Sequence, residues 1–291
     1  MGNILKFTTA LAVLLSVAIN AAAKDEDLTL MTFNVGGKAV DGGGEHSWEA
    51  RKKACMKALK KYNPDVIFLQ DAFSYHKALA MKEFPKHTLV DRGSKPGTLD
   101  QELQNNENPI LFRADRFELL NYGSFWLNEG QSADTPGWDA SKPRNVTWVK
   151  LRYKKSGVIF FCFNTKFDEE GENAGKRSAE LMADKVKEIA GDDAVIFVGG
   201  DFGMSASDRA LSPLVSYVKD ANFALKKPDT RASFNGYGKP GASPLWPDHI
   251  LSRNARPESY EVVDSKKFGV KYISDHYPVF SSFAIRIPKG K

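Results

Sequence analysis

From residue 28 onward the chain alternates short apolar runs with amphipathic stretches. The runs LTLMTFNV (28–35), DVIFLQ (65–70), PILFR (109–113), TWVKLRYK (147–154), VIFFCFN (158–164), AVIFVGG (194–200), HILS (249–252), YEVV (260–263) and YPVFSSFAI (277–285) read as strands. They are short and rich in β-branched and aromatic residues. Several are apolar at consecutive positions, which predicts central strands covered on both faces. Between two of them KKSG (154–157) predicts a hairpin turn near Lys155–Gly157. Helical spacing appears twice, over 47–62, where Ala54, Cys55, Ala58, Leu59 and Tyr62 share a face, and over 171–190, where Ala179, Met182, Val186, Ile189 and Ala190 recur. No Ser/Pro/Gly-rich linker interrupts the pattern, so residues 24–291 are expected to form one mixed α/β domain.

The first 23 residues follow a different rule. Lys6 precedes the apolar run FTTALAVLLSVAIN, which ends in AAA before the charged KDED. That is the layout of a secretory signal peptide, too short for a comfortable membrane span and ending in small residues suited to cleavage. Removal after Ala23 would leave 268 residues with a formal charge of +4. A soluble, monomeric, secreted or periplasmic protein is the expectation.

At 42% hydrophobic and 26% charged residues the whole chain is too apolar for disorder and lacks the composition of a collagen or coiled coil. Only two cysteines and five histidines are present, which excludes four-cysteine zinc sites and disulfide scaffolds. Cys55 falls on the apolar helix face and Cys162 inside a strand, so both read as small buried hydrophobes. Spacing alone does not bring their sulfurs together. The densest positive cluster, Arg51, Lys52, Lys53, Lys57, Lys60 and Lys61, reads as the solvated face of the first helix and not as a DNA-binding stripe.

The chemistry concentrates where strands end. Asn34 closes the first run, Asp71 follows the second, Asn164 and Lys166 follow VIFFCF, Asp201 follows AVIFVGG, Asp248 and His249 open HIL, and Asp275 and His276 precede YPVF. Asp and Asn after strands are ordinary turn formers, so single positions carry little weight. Together they offer a hard-oxygen donor set suited to Mg²⁺, Mn²⁺ or Ca²⁺, with a histidine beside it, at the place where α/β sheets gather active sites. Such a set suits phosphoester hydrolysis.

The ordered motifs TFNV, LQD, NPILFR, FNTKFD, GGDFG, PDHIL and SDHYPV resemble the endonuclease/exonuclease/phosphatase superfamily, the relatives of pancreatic deoxyribonuclease, across residues 29 to 285. RNVTWVKL and SFNGYG resemble its exported bacterial members. The resemblance implies a four-layer α/β sandwich, two mixed β-sheets packed between helices, with a divalent-metal phosphoesterase site at one end. It assigns Asp201 to the attacking water, His276 to the scissile phosphate and Asp248 to orienting that histidine. Asn34, Asp71 and Asp275 match the metal site, and Arg144 and Asn164 match phosphate or substrate contacts.

Three positions depart from the family pattern. Asp71 replaces the usual glutamate and is one methylene shorter. Lys166 replaces a histidine, keeping positive charge while losing easy proton shuttling. Gly203 replaces an asparagine and deletes a side-chain hydrogen bond. Two readings follow: a divalent-metal-dependent phosphoester hydrolase with Lys166 as a phosphate contact, or a weakened relative that binds phosphorylated ligands.

Overall fold

The computed structural model describes residues 25–36, 44–92, 95–98, 108–132, 135–239 and 245–287. The expected leader, residues 1–23, lies outside them. Among the described residues, twelve strands and four α-helices run in the order β1 (Glu26–Asn34), α1 (Trp48–Tyr62), β2 (Val66–Gln70), α2 (Ser74–Glu83), β3 (His87–Val90), β4 (Ile110–Arg113), β5 (Phe117–Trp126), β6 (Asn145–Tyr153), β7 (Ile159–Lys166), α3 (Glu172–Ala190), β8 (Val195–Asp201), α4 (Ser212–Tyr217), β9 (Lys219–Asp220), β10 (Asp248–Arg253), β11 (Arg256–Val262) and β12 (Val279–Ile285).

The strands form two six-stranded mixed sheets, ordered β11-β12-β1-β2-β4-β3 and β5-β6-β7-β8-β10-β9. Each sheet has one parallel pair at its centre, β1 with β2 and β7 with β8. A parallel pair needs a crossover, and α1 and α3 supply them. Ser47 caps α1 by accepting a hydrogen bond from the Ala50 N–H at 3.3 Å. The expected hairpin joins β6 to β7, with Gly157 at φ +76 where a side chain would be strained.

The two sheets face each other across a core of Leu30, Phe68, Leu151, Phe160, Phe197, Ile250 and Phe283. Their approach is close, because a Cβ built on Gly199 of β8 would lie 2.1 Å from the Phe68 ring. On the outer face of the first sheet, α1 lays Cys55, Ala58 and Leu59 against Met31, Phe33, Ile67 and Leu69. On the outer face of the second, α3 and α4 pack Ala179, Met182, Val186 and Leu214 against Phe163 and Val198. The expected helix–sheet–sheet–helix sandwich is thus what the chain forms. Both thiols are free and buried, Cys162 between the sheets and Cys55 outside them, so they belong to different cores. No helix among the described residues is long and apolar enough to cross a membrane.

The topology also fixes where polar strand ends meet. The parallel strands β1, β2, β7 and β8 all finish at one edge of the sandwich. Strand β10 runs antiparallel to β8 with Asp248 opposite Asp201, and β12 runs antiparallel to β1 with Val279 opposite Thr32. The starts of these two strands therefore lie at the same edge as the ends of the other four.

Candidate active site at the sheet edge

Two amide side chains span the gap between the sheets beneath this edge. Asn34, at the end of β1, donates from Nδ2 to Asp201 Oδ2 at 2.8 Å and accepts the Gly36 N–H on Oδ1 at 3.0 Å. Asn164 of β7 donates to the carbonyls of Leu69 and Pro109, both at 2.8 Å, and accepts from Gln70 Nε2 at 2.7 Å. Its polar atoms are thereby committed to holding the sheets together. That is a different task from the substrate contact expected for Asn164, and it arises because a buried amide must find partners where backbone carbonyls converge.

Above them sits a charged cluster. Lys166, at the end of β7, places Nζ 2.9 Å from Asp71 Oδ2, 3.0 Å from Glu169 Oε1 and 3.1 Å from Asp201 Oδ2. Burial disfavours its charge, but Asp201, Asp71 and Glu169 outweigh this and hold its pKa well above the ordinary lysine value. Asp71 reaches the ammonium from a left-handed backbone conformation, φ +53, which aspartate tolerates better than most residues. Burial would raise the Asp201 pKa, yet Lys166, His276, the Asn34 amide and the Gly203 N–H together hold it below the usual carboxylate range.

His276 lies between two aspartates. Its Nδ1–H donates to Asp248 Oδ2 at 2.8 Å, and Nε2 points toward Asp201 Oδ2 at 3.9 Å. Burial opposes a charged ring, but Asp248 and Asp201 override it and lift the pKa to about 10. The two carboxylates thus favour the imidazolium form, and Asp248 sets the orientation of the ring. Asp248 itself is shifted upward by burial in spite of its histidine partner. The edge of Phe234 packs on the same ring, with centroids 5.0 Å apart. Asp201, Asp248 and His276 also offer ligand atoms all within 4.8 Å of one another, a buried group able to hold a metal ion.

Asp275 is half-buried and accepts a hydrogen bond from Ser274 Oγ at 2.9 Å. Its carbonyl receives the N–H groups of Asn235 and Gly236. Gly36, at φ +73, passes so close that a Cβ there would lie 3.3 Å from Asp275 Oδ1, Ser274 Oγ and Tyr237 Oη. Arg144, the expected phosphate contact, pairs with a carboxylate. Nε and Nη2 both donate to Asp168 Oδ2, at 3.2 and 3.0 Å, and Ser141 joins them.

Two contributors escaped the sequence reading. Glu169 had no motif to mark it; only its spacing three residues after Lys166 hints at the pair. Arg51 reads as part of a solvated charge cluster, yet its side chain is fully buried. It donates from Nη1 to the carbonyls of Val35 at 3.1 Å and Ile273 at 2.6 Å, and from Nε to His46 at 2.7 Å. It thus fixes the two backbone segments that carry Asn34 and Asp275. The signal available was position: Arg51 lies one turn before Cys55 on the face that α1 buries.

Residues 31–276 match the model of the endonuclease/exonuclease/phosphatase family. Among solved structures, an endonuclease/exonuclease/phosphatase from Bacteroides vulgatus is 25% identical, with a TM-score of 0.79 over 90% of this chain and 100% of the other. A mannosyl-6-phosphatase from Bacteroides thetaiotaomicron is 22% identical, with a TM-score of 0.75 over 88% and 99% of the two chains. D. rerio TDP2, complexed with a single-strand DNA product, is 17% identical with a TM-score of 0.71 over 89% and 99%. The fold therefore carries both sugar-phosphate and DNA chemistry in other proteins. With the match running from β1 to the histidine before β12, the chain belongs to the endonuclease/exonuclease/phosphatase family.

Proposed function

We propose that the protein is an exported, monomeric phosphoester hydrolase that uses a divalent cation, Mg²⁺ or else Mn²⁺ or Ca²⁺. The observation that carries this reading is the buried Asp248–His276–Asp201 array, with Lys166 on the far side of Asp201. Asp71, Glu169, Asp201, Asp248 and Asp275 set five carboxyl groups against two cationic side chains. A phosphoester would be repelled from that surplus, and oxygen donors of this kind fit a hard cation. Asp71, Asp275 and Asn34 are the residues that would hold it, beside the Asp201, Asp248 and His276 group whose ligand atoms lie within 4.8 Å of one another. When bound, the ion would neutralise phosphoryl charge and polarise the P–O bonds.

The chain's own groups divide the rest of the work. Asp201, with its depressed pKa, is a weak base and a good acceptor, so it orients the attacking water. The His276 imidazolium donates a hydrogen bond to a non-bridging phosphoryl oxygen and stabilises charge there, while Asp248 keeps the ring aimed. Lys166 adds a second fixed positive charge. Water oxygen bonds to phosphorus as the ester oxygen leaves. One water proton remains on the phosphate and the other ends on the released alcohol.

A test is hydrolysis of a panel of nucleic acid, phospholipid headgroups, inositol phosphates, sugar phosphates and aryl phosphates, with and without Mg²⁺. Turnover that survives unchanged in both Asp201→Ala and His276→Ala would refute the assignment. The locking of Lys166 by three carboxylates favours a second reading, a weakened enzyme that chiefly binds phosphorylated ligands. Asp71→Glu, Lys166→His and Gly203→Asn together should then raise turnover, and a triple variant no faster than the wild type counts against it.

A further inference from the structure

Beside Asp248 the structure has a cavity whose lining does not include Asp201, Lys166 or His276. It lies between the free edge of the second sheet, at β9 and β10, and β11 of the first sheet. Its volume is about 210 Å³, and its walls are largely apolar, including Phe223, Pro228, Trp246, Tyr260 and Val262. An engineered cavity of roughly 150 Å³ accepts benzene, so the space suits one ring.

The surrounding loop is ordered by hydrogen bonds. Asn222 and Asp229 exchange two hydrogen bonds, Asn222 Nδ2 to the Asp229 carbonyl at 2.8 Å and the Asp229 N–H to Asn222 Oδ1 at 2.7 Å. Asp229 Oδ2 accepts the Val262 N–H at 2.9 Å, which pins the loop to β11. Trp246 donates from Nε1 to the Thr230 carbonyl at 3.2 Å. Despite this ordering, Phe223 is 58% exposed and Trp246 43% exposed, two large apolar side chains at the mouth. Trp246 therefore belongs to a rim, where the sequence favours burial for any one tryptophan.

The inner end of the cavity is polar. His249 donates from Nδ1 to Asp220 Oδ2 at 2.9 Å and from Nε2 to the Met204 carbonyl at 3.1 Å, so its own needs are met. Asp248 also lines the cavity, but its carboxyl is buried and faces His276 and Ser233. The apolar walls and rim therefore set what the cavity accepts.

We infer that this cavity is a binding site for a ring-sized, uncharged and mainly apolar group. The group enters past Phe223 and Trp246. It is either a substituent of the phosphoester or a separate small molecule.

Benzyl alcohol is a suitable probe, titrated into the full chain by calorimetry with glycerol as control. Saturable binding of benzyl alcohol but not glycerol is expected. Binding should weaken at least tenfold in Phe223→Ala/Trp246→Ala, and also in Thr230→Phe, which plugs the mouth from an exposed position. No saturable binding in the wild type, or equal affinity in all three proteins, overturns the inference.

The source of the ring is read from kinetics. Competition by benzyl alcohol against phenyl phosphate, with methyl phosphate unaffected, assigns the ring to the substrate; binding without such competition assigns it to a separate ligand. The substrate assignment rests on the hydrolase reading, whereas the calorimetric result does not, so the two can fail separately.

Discussion

Replacing Lys166 by methionine removes the ammonium while keeping the reach of the side chain. Three carboxylate oxygens, from Asp71, Glu169 and Asp201, stand 2.9 to 3.1 Å from Nζ. Glu169 is largely solvated and can turn away, but Asp201 is only 2% exposed and loses its nearest full positive charge. Breaking a buried pair by removing one partner costs about 3–5 kcal/mol. The folding equilibrium should therefore fall by roughly two to four decades. Urea unfolding in EDTA near pH 7 measures this directly. Mg²⁺ should then restore more stability to Lys166→Met than it adds to the wild type, because the ion takes over a charge that lysine otherwise neutralises. At a hundred times its Kd, an ion bound only by the folded state contributes about 2.7 kcal/mol. Glu169→Gln is the control and should cost no more than about 1 kcal/mol. An unchanged urea midpoint in EDTA, or equal Mg²⁺ stabilisation of both proteins, would refute the view that this ammonium and a metal ion share one electrostatic task.

Gly203→Asn should fold with a loss of under about 1 kcal/mol, since asparagine enters the left-handed region readily. A Cβ there meets nothing nearer than 3.6 Å; if the added amide reaches the phosphoryl group, turnover rises by about a hundredfold, and an unchanged rate in the folded variant rules that out. Arg51→Met strips a donor from three backbone carbonyls and should destabilise by about 3 kcal/mol or more, read by urea unfolding. His76 supplies a pH test: its Nδ1 accepts the Phe73 N–H at 3.0 Å, closing the start of α2, and burial, with Arg51 and Lys77 adding to it, lowers its pKa from 6.5 to about 3. The neutral ring is the one the fold accepts, so this stability is present above pH 6.5 and drains as pH falls toward 3, by up to about 4 kcal/mol. His76→Gln keeps an acceptor that does not titrate there, and a urea midpoint that falls as steeply in this variant as in the wild type contradicts the assignment.

Central strands were legible because burial on both faces leaves an unmistakable apolar run. Strand β5 was missed because both of its faces are largely half-buried or exposed at the sheet edge, so neither a run nor an alternation forms. Strand β3 has four residues, and α2 carries an apolar stripe too thin to stand out. At the site, topology alone brings Asn34, Asp71, Lys166, Asp201, Asp248 and His276 to one edge, and strand-end position was enough to find them. Partner choice was not legible. That Asn164 faces two carbonyls, that Arg144 faces Asp168 and that Arg51 turns inward all depend on which acceptors lie across the gap, which no local pattern records.

The carbonyl of Asn34 accepts a hydrogen bond from Ser274 Oγ at 2.8 Å, and Arg51 ties Val35 to Ile273. These links join segments more than two hundred residues apart, and β1 is flanked by β12 on one side and β2 on the other. During synthesis on the ribosome, the edge that gathers the charged residues has no closed form until residues 273–276 have been made. Pairing at such sequence separation is also slow to form. A nascent chain therefore has no complete site until that point. Fragments divided in an exposed loop between the two sheets should regain the site only on reassociation.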